Sequence, residues 1–229
     1  MVLNTAKIIA LTQPILSAYE TGTESPIGAE AFIAYCARVS NPQNQSNTLT
    51  APKLLAYLIK HKHWSPFEMV SITMDINTTR DIAHQIVRHR SFSFQEFSQR
   101  YADPTKDMGF VTREARLQDA KNRQNSIETY NENLQKDWKK IQLNMQDMAI
   151  GAYKWGIENG IAKEQARAVL PEGLTKTRLY MSGTLRSWIH YIDVRAEEGT
   201  QKEHRQVAIS AKKEILMHFP SLREYWEEE

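Results

Sequence analysis

The sequence predicts an α+β fold built as one domain over residues 1–229, with a mainly antiparallel sheet flanked by helices and one long helical segment. Three observations carry that expectation. Apolar and polar residues alternate from Met69 to Ile76, the period of a half-buried strand. On either side of it, apolar residues recur at spacings of three and four, the period of helices. No internal repeat or linker divides the chain, and only a more polar segment from Lys106 to Arg123 interrupts the pattern.

The elements run in order along the chain. Ile8, Ile9, Ala10 and Leu11 form a first strand. Pro26 to Val39 carries a helical stripe of Ala29, Phe32, Ile33 and Cys36, and a polar loop comes next, from Asn41 to Asn47. Thr50 caps the next helix, Pro52 is tolerated in its first turn, and Leu54, Leu55, Leu58 and Ile59 face the core. In the strand Met69–Ile76, Val70, Ile72, Met74 and Ile76 alternate with Ser71, Thr73 and Asp75. Asn77 ends it and caps a helix through Ile82, Ala83, Ile86 and Val87. From Ser126 to about Asn159 a long helix carries Ile127, Tyr130, Leu134, Trp138, Ile141, Met145 and Met148, with Gly160 as its stop. A helix of this length is expected to pack against another subunit. Leu174–Met181 is a further strand and Leu185–Val194 a helix. Thr200-x-x-Glu203 is a capping box that opens a last helix toward Phe219.

Composition excludes several classes. The 29 Lys+Arg against 27 Asp+Glu give a net charge of only +2, too even for a dedicated nucleic-acid or membrane-surface binder. With a single cysteine, Cys36, neither an internal disulfide nor a cysteine-based zinc site is available, so a reducing compartment is expected. His61 and His63 sit on a lysine-rich stretch without a carboxylate or cysteine at ligand spacing, so no metal site is expected there. No signal-peptide core and no bilayer-length apolar stretch is present, and the expected location is the cytoplasm.

Chemistry concentrates between Arg88 and Tyr101, where three arginines and a histidine stand among hydroxyls, Glu96 and aromatics. Arginine's planar fork matches phosphate oxygens, and Ser98 adds a neutral donor. The cluster lies after a helix C-terminus, whose dipole does not attract anions, so side chains must hold the phosphates. Neither G-x-G-x-x-G nor G-x-x-x-x-G-K occurs, which excludes the usual backbone cradles for phosphate. A small anionic ligand with a flat ring is the class implied.

The order Arg88-His89-Arg90, seven residues, then Ser98-Gln99-Arg100-Tyr101 resembles the signature of the flavin-dependent thymidylate synthases. Cys36-Ala37-Arg38-Val39-Ser40, His63-Trp64-Ser65-Pro66-Phe67-Glu68, Arg167-Ala168-Val169-Leu170-Pro171 and Arg186 through Val194-Arg195-Ala196 are similar to four more motifs of that family, in its order. The resemblance implies conversion of dUMP to dTMP, with methylenetetrahydrofolate as carbon donor, FAD as redox carrier and NADPH as electron source. It also implies a homotetramer whose subunits share active sites.

By the same resemblance, Arg88, His89 and Arg90 meet the flavin and its pyrophosphate, and Ser65 and Glu96 also touch FAD. Arg186, His190 and Thr184 stand at its adenine or ribose end. Gln85, Arg88, Glu96, Ser98, Arg100 and Arg167 hold dUMP, with Gln99 contributing through its backbone. Arg195 stabilises the anion of the uracil ring. Two other readings fit parts of the pattern: an RNA-binding module using the arginines and aromatics, and a flavoprotein of this fold without synthase activity.

Carbon 5 of uracil needs electron density pushed into the ring, by a thiolate adding at C6 or by a fixed cation stabilising a ring anion. Cys36 lies on an apolar stripe, as a structural thiol would. Arg195, always charged, suits the second route.

Overall fold

The computed structural model describes residues 2–16 and 27–227. Its main sheet has the order β1-β2-β6-β3, formed by β1 (Thr5–Leu11), β2 (Ser71–Thr79), β3 (Ser93–Glu96) and β6 (Lys176–Thr184). Every neighbouring pair is antiparallel, and β2 and β6 pair along their full length, from Ser71 opposite Thr184 to Thr79 opposite Lys176. A separate ribbon pairs β4 (Arg116–Gln118) with β5 (Ser126–Glu128). The helices are α1 (Ala29–Ala37), α2 (Ala51–Lys60), α3 (Arg80–Ile86), α4 (Pro104–Asp107), α5 (Glu132–Glu158), α6 (Lys163–Ala166), α7 (Leu185–Arg195), α8 (Lys202–His218) and α9 (Arg223–Glu227).

The pleat explains the core. Ile72, Met74 and Ile76 of β2 and Leu179 and Met181 of β6 all point to one face, where they are completely buried. Burial of each such side chain stabilises the fold by roughly 1.5–3 kcal/mol. The helices supply the other half: Leu55 of α2, Ile82 and Ile86 of α3, Trp188 and Ile192 of α7, and Val207 and Ile215 of α8. Trp188 satisfies its indole N–H on the Ile72 carbonyl at 3.1 Å. Strand β1 is an edge, and α8 occupies its open side: Ser210 Oγ accepts from Ala6 N and Glu214 Oε2 from Ile8 N, each at 3.0 Å.

Several sequence expectations are corrected. The first helix spans Ala29–Ala37, shorter than Pro26–Val39, and Pro26 lies outside the described residues. Thr50 precedes α2 but does not cap it; its hydroxyl accepts from Arg38 Nη2 at 2.7 Å. Arg38 is buried and also donates to the Asn47 carbonyl, so it clamps the loop before α2. Met69 belongs to a 3-10 turn, and the strand continues past Asn77 to Thr79, because Thr78 and Thr79 pair with Thr177 and Lys176. Asn77 therefore caps nothing, and Val87 lies beyond α3, exposed.

The expected long helix does not begin at Ser126. Residues 126–128 are strand β5, held by a turn in which Asp119 accepts from Lys121 N, Asn122 N and Asn125 Nδ2. Helix α5 starts after Asn131, which caps Leu134 N at 3.1 Å, and ends before Gly160, whose φ of +80° suits the stop. The capping box before α8 is also absent. Thr200 Oγ1 donates to the Val194 carbonyl, and Glu203 turns inward to Arg116.

Helix α5 is turned opposite to a simple amphipathic reading. Its inward face carries glutamines that pair with an extended chain. Gln135 bonds both the N–H and the carbonyl of Ala115 (2.8 and 2.9 Å), Gln142 both those of Arg113 (2.8 Å each), and Gln146 the carbonyl of Val111 (2.7 Å). Backbone that no strand satisfies is satisfied by side-chain amides. The apolar stripe of Trp138, Ile141, Met145 and Met148 faces outward, with Met148 69% exposed.

Candidate active site

The arginine loop is held in place by Phe92. Helix α3 ends at Ile86, the chain turns, and Phe92 plugs into the core against Trp188, ring centroids 4.9 Å apart. Beneath it lies Gly183, where a Cβ would sit 2.4 Å from Phe92 Cδ1. Anchored there, the loop holds Arg88 and Arg90 exposed. Neither takes part in a hydrogen bond or ion pair among the described residues.

Beside this loop is a cleft of about 410 Å³ lined by Trp64, Glu68, Ser91, Arg186, Ser187, Ile189, His190 and Asp193. It lies where α7 meets the arginine loop and the 3-10 turn Ser65–Met69. Arg186 is paired with Glu68 at its mouth. Asp193 is held by Tyr225 Oη at 3.0 Å and Trp226 Nε1 at 2.9 Å. An aromatic wall, sugar-type acceptors in Glu68 and Asp193, and hydroxyls in Ser91 and Ser187 suit the nucleoside part of a ligand better than its phosphates.

A second group lies behind the loop. Arg195 Nε donates to His89 Nε2 at 3.0 Å, and the His89 ring stacks edge-on against Tyr191 at 5.0 Å. Burial, then the nearby Arg195 and His190, push His89 down to about 4, so it is a neutral acceptor. Gln85 connects here through His204, 3.1 Å away, and Gln201, 2.8 Å away.

A third group forms where residues 98–101 meet α6. Arg100 pairs with Glu164 at 3.2 Å, and Lys163 Nζ donates to the Tyr101 carbonyl at 2.9 Å, bringing Arg100 and Ser98 toward Arg167 at the end of α6. Gln99 is buried, 5% exposed. No hydrogen bond or ion pair among the described residues joins this group to Gln85 or Arg195.

Some expected site residues carry structural duties. Glu96 Oε1 accepts from Arg80 Nη1 (3.1 Å) and Thr177 Oγ1 (2.8 Å). Thr184 caps α7 through Ser187 N at 3.3 Å. Ser65 is exposed at the start of its turn, and its neighbour Trp64 forms the cleft wall. His63 is exposed and outside the lining, and His84 pairs with Glu172 at 3.0 Å. Sequence reasoning missed Trp64, Glu68, Ser91, Ser187 and Asp193 as lining residues. Trp64 and Glu68 stand within the family-like motif His63–Glu68, which was the available signal.

These features define an α+β fold that sets exposed arginines beside an aromatic-walled cleft. Residues 24–221 match the family model described as thymidylate synthase complementing protein. The chain is 48% identical over 217 residues (95% of this chain, 96% of the other) to a probable flavin-dependent thymidylate synthase of Paramecium bursaria Chlorella virus 1. It is 47% identical over 216 residues (94% and 96%) to the flavin-dependent thymidylate synthase of Synechocystis. Its fold matches that of a UMP/dUMP methylase, PolB from Streptomyces cacaoi bound with 5-Br dUMP, with a TM-score of 0.79 at 21% identity, covering 98% of this chain and 94% of that one. The chain belongs to the flavin-dependent thymidylate synthase family.

The residues present fit FAD. The Trp64 wall and the acids and hydroxyls of the cleft suit an adenine and its ribose, and Arg88 and Arg90 next to it are free to meet a pyrophosphate. Among the described residues no helix is long and apolar enough to cross a membrane.

Proposed function

We propose that this chain, as a single domain of residues 1–229, reductively methylates dUMP to dTMP, with methylenetetrahydrofolate as carbon donor and NADPH as reductant. The redox chemistry is what bound FAD supplies. The observation that carries the reading is the cleft of Arg186 and His190, which the arginine loop enters at Ser91 directly after the exposed Arg88 and Arg90, within a chain matched to the family over residues 24–221.

In this reading Arg88, His89, Arg90, Ser65 and Glu96 contact FAD, and Arg186, His190 and Thr184 stand at its adenine or ribose end. Ser98, Gln99, Arg100 and Arg167 take the dUMP phosphate side, while Gln85, Arg88 and Glu96 orient the nucleotide. Arg195 stabilises the uracil anion: its charge is permanent, and the His89 bond fixes its guanidinium. Cys36 is no competing nucleophile, because burial pushes its thiol up, away from the thiolate that attack requires.

The enzyme acts as a homotetramer. Two features support this: the phosphate group around Arg100 is unconnected to Gln85 and Arg195 within one chain, and the apolar stripe of α5 is exposed. The test is the visible spectrum of purified protein with and without dUMP. A yellow protein whose flavin band shifts with dUMP is expected; colourless protein that takes up no added FAD would overturn the reading. Tritium release from C5-labelled dUMP, dependent on folate and NADPH, separates synthase activity from flavin binding alone.

A further inference from the structure

The bonds behind Gln85 form one continuous line. Arg116 Nη2 donates to Glu203 Oε1 at 2.6 Å, and Gln201 Nε2 donates to Glu203 Oε2 at 3.0 Å. Gln85 Nε2 donates to Gln201 Oε1 at 2.8 Å, while Gln85 Oε1 lies 3.1 Å from His204 Nδ1. His204 Nε2 in turn lies 3.1 Å from the Tyr191 hydroxyl. Glu203 is 8% exposed, and His204 and Tyr191 are fully buried, so water does not compete for these groups.

The direction of every bond is set from the carboxylate end. An ionised carboxylate only accepts, so Gln201 must turn its NH2 to Glu203 and its oxygen to Gln85. Gln85 must then donate to that oxygen, which leaves its own oxygen facing His204. His204 must therefore carry its proton on Nδ1 and accept from Tyr191 at Nε2. The opposite tautomer would set an amide oxygen against an unprotonated ring nitrogen, two acceptors with no proton between them.

The charge states agree. Burial works to raise the Glu203 carboxyl, but its bond to Arg116, the bond from its own backbone N–H and the charges of Arg113 and Arg116 together outweigh this and hold it below the ordinary value. Burial, then the nearby Arg195 and His89, push His204 down to about 3, so it is neutral. Burial also pushes the Tyr191 phenol up, which keeps its proton available to donate.

We propose that Glu203, Gln201, His204 and Tyr191 are positioning residues that hold the Gln85 amide in one orientation, ready for the nucleotide. The inference rests on reading Gln85 as a dUMP contact. A glutamine free to flip would offer a ligand either its oxygen or its NH2. This one is polarised from a buried carboxylate and presents a single arrangement, so binding does not have to order it.

The test has two parts, both on the FAD-loaded protein. Long-range 15N–1H spectra of 15N-histidine-labelled protein without nucleotide should show His204 as the neutral Nδ1–H tautomer at pH 7 and still neutral at pH 5. An Nε2–H tautomer, or a charged ring at pH 5, would overturn the chain of bonds. The second part is dUMP titration of a double-mutant cycle. His204→Leu should weaken dUMP roughly ten-fold, the loss of about one buried hydrogen bond, and His204→Asn, which keeps a donor near the Nδ1 position, should recover most of it. In a Gln85→Leu background, His204→Leu should cost nothing further. Equal losses in both backgrounds would overturn positioning through Gln85 while leaving Gln85 a dUMP contact. Unchanged dUMP affinity in Gln85→Leu itself would overturn both. The spectra on unsubstituted protein decide the case even where a His204 variant does not fold.

Discussion

Arg195 Nε and His89 Nε2 meet at 3.0 Å, joining the last turn of α7 to the loop after α3. A neutral histidine thus fixes the plane of a permanent cation. Arg195→Ala is expected to retain flavin and to lose about 10²–10³-fold in turnover, the scale of removing one preorganised electrostatic group. Arg195→Lys should recover little, because an ammonium cannot bond His89 and present a fork together. Turnover measured by tritium release, beside the flavin absorbance, checks both; near-normal turnover in Arg195→Ala would refute the anion-stabilising role.

Arg100 is exposed, and its pair with Glu164 is a surface pair of small worth to the fold. Replacing Arg100 or Arg167 by alanine should leave the melting temperature nearly unchanged. Charge-assisted bonds contribute about 1.5–3 kcal/mol each, so dUMP binding should weaken by roughly ten-fold or more in each variant. Spectral titration with dUMP measures it, and unaltered affinity in both variants would remove the phosphate assignment.

Gly183→Ala tests how the arginine loop is placed. The new Cβ would meet Phe92 at 2.4 Å, so the ring must leave its seat against Trp188. A loss of about 1–3 kcal/mol in stability is expected from such overpacking. FAD affinity should fall with it, since Phe92 anchors the loop; wild-type FAD affinity in a destabilised variant would show that the loop is held by other means.

His89 and His204 both have folded pKa values pushed below the unfolded value, to about 4 and about 3. Between the unfolded histidine value and those figures, the unfolded chain binds more protons than the folded one. Stability is therefore full above about pH 6.5 and falls on acidification, by up to about 1.4 kcal/mol per pH unit for the fully buried His204 and by less for His89, which solvent partly screens. Urea midpoints from pH 7.5 to 4.5 should show this decline, and His204→Leu should flatten it. A midpoint independent of pH across that range would contradict the buried neutral assignments.

The outward stripe of α5 predicts the assembly. Trp138→Glu or Met145→Glu places a charge where apolar contact is expected, on side chains that are exposed in the single chain. Both variants should fold, dissociate in sedimentation experiments and lose dUMP binding together. A variant that keeps the parent mass would move the interface elsewhere.

The alternation of Ile72, Met74 and Ile76 and the stripe of α7 were legible because local periodicity and burial agree there. The arginine loop was legible from residue order. Capping was the weak point: Thr50, Asn77, and the Thr200 and Glu203 pair each have the right chemistry for a cap. Each is claimed instead by a partner outside the cap: Thr50 by Arg38, Asn77 by the β2–β6 ladder, Thr200 by the Val194 carbonyl and Glu203 by Arg116. The cleft wall at Trp64 and the bonds behind Gln85 were hidden for the same reason. They depend on helices α7 and α8 coming to lie beside a loop some hundred residues earlier in the sequence.

The segment from Lys106 to Arg123 is polar and mostly irregular, the kind of stretch where added residues are ordinarily tolerated. Its backbone is nevertheless claimed at Val111, Arg113 and Ala115 by Gln146, Gln142 and Gln135, and its Arg113 and Arg116 reach Asp81 and Glu203. One extra residue between Val111 and Ala115 would put the wrong peptide groups opposite those amides and draw both arginines off their carboxylates. The turn from Asp119 to Asn125 makes its bonds within itself and to the adjoining Gln118, so length can change there without reaching Glu203. A peptide tag or a fused domain therefore has an entry point near residue 122, and none ten residues before it.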